Sequence, residues 1–141
     1  MHIEKNVCTN ILGTVLDILG KTKDNLNARR DLPDLTIRLE LTPINGDKNI
    51  FIPPACYTLT KKEKWFLLKT LSEMKVPQGY SSNVRNLVSI EDSKLNGLKS
   101  HDFHVLLQQL LPIAIRSMLP KHVRYVIPRL CLFLILYVTN L

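Results

Sequence analysis

Cysteine is scarce in this chain. Cys8, Cys56 and Cys131 are odd in number, far apart, and never within a CxxC pair. That excludes a disulfide framework and a zinc ribbon, and fits a reducing compartment. Glycine is equally sparse, and Gly13, Gly20, Gly46, Gly79 and Gly97 lie too far from one another to build a phosphate-cradling loop. No serine or cysteine nucleophile motif occurs, so no small-molecule substrate is expected. The opening Met1-His2-Ile3-Glu4-Lys5-Asn6 lacks the basic and apolar regions of a secretory signal. No apolar run reaches the roughly 20 residues of a membrane-spanning helix. Pro128-Arg129 cuts the tail so that only the stretch from Leu130 to Val138 is continuous. A membrane anchor is therefore not expected.

What is present is enough for one packed core. Apolar residues make up 45% of the 141 and charged residues 22%, the balance of a globular domain rather than of a disordered chain. The net charge of +7 arises from basic residues scattered along the sequence. Such an excess favours polyanionic partners through phosphate neutralisation, with Arg29, Arg30, Lys61, Lys62 and Lys64 as candidate contacts. The competing reading is that these cations are solvated helix faces.

The pattern predicts a mainly α, irregular helical chain with a proline-rich loop and at most a short β hairpin. Val7, Cys8, Ile11, Leu12, Val15, Leu16 and Leu19 recur at three- and four-residue steps, predicting an amphipathic helix over 4–19 that Gly20 caps. Thr22 or Asp24 is expected to cap a polar helical stretch through Arg30, with Pro33 marking a break or a new first turn. Pro43, Gly46, Asp47, Pro53 and Pro54 predict a loop over 39–57, with extended pieces at 38–41 and 49–52. Thr60 and Glu63 match a capping box, predicting a helix from Lys61 to about Met74. Residues 77–80 read as a turn, and Ser81 or Ser82 as the cap of a short helix. A long apolar helix starting near His101 is expected to lie centrally and to bend at Pro112. The tail from Lys121 reads as a buried or mispacked terminal helix.

Two places carry possible chemistry. His101, Asp102 and His104 form one compact cluster. Two histidines do not complete a zinc site, which needs four ligands. The favoured reading is a helix start, with Ser100 or Asp102 as the cap and the histidines partly buried. Glu4 is the second candidate, as a carboxylate able to hold a divalent metal. No second carboxylate accompanies it, and two-metal chemistry needs several.

Three blocks then point further: 1–8 with 20–24, 52–64, and 75–83 running on to 97–106. Their order and spacing resemble the segment of plant En/Spm-type (CACTA) transposon transposases that joins the end of the transposase core to a plant domain of unknown function. The likeness covers almost the whole chain up to about Leu132. The resemblance implies relatives that are longer and that cut and join DNA with a metal-dependent, RNase H-like core, most of which would precede Met1. It implies that Met1 corresponds to an internal methionine, and divides the chain into four parts. Residues 1–40 would be the remnant of the core's C-terminal end and 41–57 a proline-rich joint. Residues 58–132 would be the N-terminal part of the domain of unknown function, and 133–141 a divergent apolar tail. Glu4 is the one position matching the last acidic residue of the catalytic set. Phe103 stands where relatives usually show cysteine, and the family pattern stops after Leu132.

The expectation is a truncated, transposase-derived protein without catalysis of its own that retains weak contact with DNA or transposase subunits. No cofactor is expected, a divalent metal belonging only to an intact relative. The protein is expected inside the cell, and in the nucleus if functional. The alternative is a domesticated interaction module that binds a partner protein through its basic surface and apolar terminal helix. A fragment should also leave apolar faces of the first helix and of the 130–138 run uncovered.

Overall fold

A computed structural model describes residues 2–75 and 84–139. The expected turn at 77–80 and the caps at Ser81 or Ser82 lie outside them. In chain order the elements are α1 (His2–Val15), α2 (Leu26–Asp34), the hairpin β1 (Ile44–Asn45) and β2 (Ile50–Phe51), and α3 (Lys61–Glu73). A second hairpin, β3 (Val88–Ser89) and β4 (Lys94–Leu95), precedes α4 (Ser100–Val105), a π-helical turn (Leu106–Leu110), α5 (Leu111–Ala114) and α6 (Lys121–Thr139). The fold is mainly α. Both hairpins are antiparallel and only two residues per strand; the second was not expected.

The first helix ends earlier than its apolar periodicity implies. Asp17 adopts a left-handed φ of 52°. The Ile18 amide then donates to Gly13 O at 2.8 Å and the Asp17 amide to Thr14 O at 3.2 Å, which closes a Schellman motif. Leu19 is consequently 97% exposed rather than on the buried stripe, and Gly20 (φ 78°) serves the following turn instead of the cap. The returning loop crosses Gly13 so closely that a Cβ there would sit 2.8 Å from Lys21 O. Only glycine leaves room for that crossing.

Asn25, not Thr22 or Asp24, caps α2: its side-chain oxygen accepts the Ala28 amide at 3.0 Å. Pro33 lies inside the last turn of α2, and Thr36 (φ 55°) ends it with a second Schellman pair, Ile37 N to Leu32 O and Thr36 N to Pro33 O. The piece expected to be extended at 38–41 holds instead a 3₁₀ turn, Leu39–Leu41, whereas the piece expected at 49–52 holds β2, paired with β1. The Thr60–Glu63 capping box forms as predicted. The Glu63 amide donates to Thr60 Oγ1 at 3.2 Å and the Thr60 amide to Glu63 Oε2 at 2.6 Å.

The central rod is continuous from Ser100 to Ala114, but its widened turn lies at Leu106–Leu110, just before Pro112. Pro112 has no amide to donate and its ring crowds the carbonyl four residues back, which a π turn relieves. Val105, Leu106, Leu107, Leu111 and Ile115 are fully buried, so this rod is the centre of the core as its all-round apolarity implied. Cys8 and Leu12 of α1 and Leu16 just after it join the same cluster, with Leu67, Leu68 and Leu71 of α3 and Ile127, Cys131 and Leu134 of α6. Burying each such leucine stabilises by about 1.5–3 kcal/mol relative to leaving it exposed. The first helix therefore has a covered face, contrary to expectation. The terminal helix is covered on one side only: Val126, Leu132 and Phe133 remain outside.

Candidate functional site

Glu4 and His104 are separate candidates in the sequence; the fold makes them one unit. Glu4 projects from the first turn of α1 into the core and is only 1% exposed. Its two carboxylate oxygens lie 3.0 and 3.1 Å from Nδ1 of His104 on α4. The amide of Gln108, one turn further along the rod, donates to Glu4 Oε1 at 3.5 Å. A buried carboxylate requires such partners, and the tautomer with its proton on Nδ1 supplies one. Gln108 carries no motif of its own, so nothing in the sequence singles it out.

The fold pairs the Glu4 carboxylate with a single histidine. Both oxygens of Glu4 already face His104, and the carboxylate sits inside the core rather than in an open cleft. Among the described residues no three His, Cys, Asp or Glu side chains converge as ion ligands would. Cys8 lies on the same face of α1. Burial, then the neighbouring Cys131 and Glu4, push its thiol up to about 12. A thiol held neutral in this way is a packing group and a poor nucleophile.

The rest of the histidine cluster divides. His101 is exposed on the outer face of α4. Asp102 is buried, and its carboxylate accepts the Lys99 amide at 2.7 Å, fastening the helix start. The capped residue is thus Lys99, one position earlier than Ser100, while the reading of this cluster as a helix start agrees with the geometry.

Of the candidate phosphate contacts, Arg29 does not reach the surface. It is 2% exposed and holds the fold together. Its Nε and Nη2 donate to the Asp24 carboxylate, the latter at 2.7 Å, and Nη1 donates to Leu41 O at 3.0 Å and Pro53 O at 2.9 Å. One guanidinium thereby ties α2 to both ends of the proline-rich stretch, with no face left for a phosphate. Arg29 also holds the Asp24 carboxyl below its usual range, aided by a hydrogen bond from Tyr57. Burial, with the hydrogen bond to Asp24 adding to it, raises the Tyr57 phenol.

The other four candidates face outward. Arg30, Lys61 and Lys62 are exposed and Lys64 half-buried. Lys61 and Lys62 border an open groove of about 700 Å³ with Trp65, Phe66, Ser117 and Met118. The two aromatic residues are 47% and 50% exposed. Lys69 stands over the Trp65 ring at 4.7 Å. Among the described residues, Arg29 and Lys69 are the only Lys or Arg side chains in an ion pair. The other Lys and Arg side chains among the described residues make no ion pair.

No helix among the described residues is long and apolar enough to cross a membrane. The chain matches no protein-family model, no curated protein and no solved structure.

Proposed function

We propose that this chain is a transposase-derived protein, without catalysis of its own, that holds DNA through its phosphate backbone. The observation that carries the reading is the uncompensated basic surface: a net charge of +7 with almost every cation among the described residues free of a carboxylate partner. Phosphates neutralise such a surface and release counterions, an interaction that needs no base-specific groups. The groove beside Lys61 and Lys62 adds exposed Trp65 and Phe66, on which unpaired bases can stack. The non-catalytic part of the reading rests on Glu4. This is the one position that the resemblance to En/Spm transposases offers as a metal ligand, and its carboxylate is spent on His104.

The test is binding to an arbitrary-sequence duplex as salt rises. The logarithm of affinity should fall with the logarithm of salt by roughly 0.9 per phosphate engaged, so engagement by Arg30, Lys61 and Lys62 alone implies a slope near −3. A flat profile, or no binding at low salt, removes the proposal.

The exposed apolar side of α6 favours a second reading, docking of a partner protein or transposase subunit on Val126, Leu132 and Phe133. Such an interface strengthens or holds steady as salt rises, because apolar burial is not screened.

A further inference from the structure

We infer that a phosphate group is bound in the pocket between the end of α5 and the first turns of α6. This pocket, of about 530 Å³, has Ile113, Arg116, Lys121, Arg124, Tyr125 and Pro128 among its walls. Three of these are cations. No Asp or Glu follows Asp102 in the sequence, so the chain on both sides of the pocket brings no carboxylate. The groove on α3 differs in this respect, since Glu63 is among its walls.

The state of Arg124 is the second observation. Its Nη1 donates to the carbonyl of Arg116, which locks the guanidinium across the turn joining the two helices. Its Nε, meanwhile, is buried and has no hydrogen-bond acceptor among the described residues. A desolvated cationic N–H without an acceptor is unfavourable where it stands, so a small shift of the guanidinium toward an anionic oxygen in the pocket is favoured. Arg116 and Lys121 are exposed at the rim, free to close on the same anion. Lys121 Nζ stands 5.7 Å from the centre of the Tyr125 ring, and Arg129 stands 6.0 Å from it on the same helix. The ring gathers charge at one spot and leaves an aromatic wall beside it. A fixed guanidinium, two mobile cations and an apolar wall match a phosphate ester: charged oxygens inward, ester carbon against Ile113 and Tyr125.

A DNA backbone as the source of that phosphate rests on the function proposed above; the preference of the pocket for a phosphate ester does not. The experiment compares the whole chain with its Arg116→Gln/Lys121→Gln variant. Both side chains are exposed, and the Arg116 carbonyl that Arg124 uses is retained, so folding is preserved. Three probes are titrated: inorganic pyrophosphate, an arbitrary duplex, and vesicles containing phosphatidic acid. Lys61→Gln/Lys62→Gln serves as a control of equal charge change. The expected result is pyrophosphate binding that falls at least tenfold in the first variant and is unchanged in the control. The salt slope for duplex should shrink by about 2, one for each phosphate that the variant no longer neutralises. If duplex binds but the first variant alters it no more than the control does, and pyrophosphate binding is unchanged, the pocket assignment is overturned while the DNA reading stands. If pyrophosphate or vesicles bind and the first variant abolishes it, but duplex does not bind, the pocket stands and the DNA reading falls. Failure of all three probes to bind overturns both.

Discussion

Both carboxylate oxygens of Glu4 lie within 3.1 Å of Nδ1 of His104, a residue 100 positions later in the chain. This pairing joins the first turn of α1 to α4 at a depth where Glu4 has almost no contact with water. His104→Ala would leave the carboxylate buried with Gln108 as its remaining neighbour. A loss of about 1–3 kcal/mol is expected, the cost of an unsatisfied buried polar group. Glu4→Gln removes the charge along with the need to compensate it, and should cost less. Urea denaturation measures both, and an unchanged midpoint for His104→Ala would show that the pair does not hold the helices together.

Arg29 should behave as a structural residue. Arg29→Ala takes the cation from Asp24, leaving it the hydrogen bond from Tyr57, and frees the Leu41 and Pro53 carbonyls, for an expected loss of about 3 kcal/mol in chemical denaturation. DNA binding per folded molecule should not change.

The Asp24–Arg29 pair also sets an acid limit. Because the folded carboxyl titrates below its unfolded value, its stabilisation is complete above the ordinary aspartate range near 3.8 and is lost as pH falls through the folded value. Thermal midpoints measured from neutral pH down to acid should drop there, and Asp24→Asn should flatten that part of the profile. A parallel drop in the variant would assign the acid loss to other groups.

Gly13→Ala sets two effects against each other. Alanine gains about 1 kcal/mol over glycine within a helix. The added Cβ, however, meets the backbone of Lys21 at 2.8–2.9 Å, and forcing such an approach costs about 1–3 kcal/mol. The obstacle is backbone rather than a flexible side-chain end, so net destabilisation is expected. A raised melting temperature would mean that the 16–23 loop moves aside freely.

The three thiols should separate cleanly. Cys56 is exposed, whereas burial pushes Cys131 to about 11 and Cys8 to about 12. An alkylating reagent at mildly alkaline pH should modify one thiol of the folded protein quickly and all three in urea. Raised thiol values also mean that stability holds below the unfolded value near 9.0 and declines as pH climbs above it. Rapid modification of Cys8 in the folded state would contradict the packing of α1 into the shared core.

The parts of the fold legible in the sequence are those decided by residues a few positions apart. Thr60 and Glu63 are three apart, and their capping box forms as read. The period of Val7 to Leu16 and the all-round apolarity of the rod after His101 likewise located a buried helix and the core. Where the reading failed, a backbone choice or a distant neighbour decided. Asp17 and Thr36 adopt left-handed conformations that their side chains do not advertise, so α1 stops before Leu19. On α3, Leu67, Leu68 and Leu71 take the core face and leave the rings of Trp65 and Phe66 exposed, a division that the run of apolar residues does not show.

By itself the sequence determined the helical character of the chain, its surplus of positive charge and the lack of any acidic residue beyond Asp102, because these depend on composition and local spacing. The tertiary structure alone decided what the charges do. It turned Arg29 inward onto Asp24 and left Arg30, Lys61 and Lys62 in water. It also brought Glu4 to His104 and folded Arg124 back onto the carbonyl of Arg116. Desolvation and the pairing that offsets it depend on which surfaces meet, and residues far apart in the chain meet only once the helices pack.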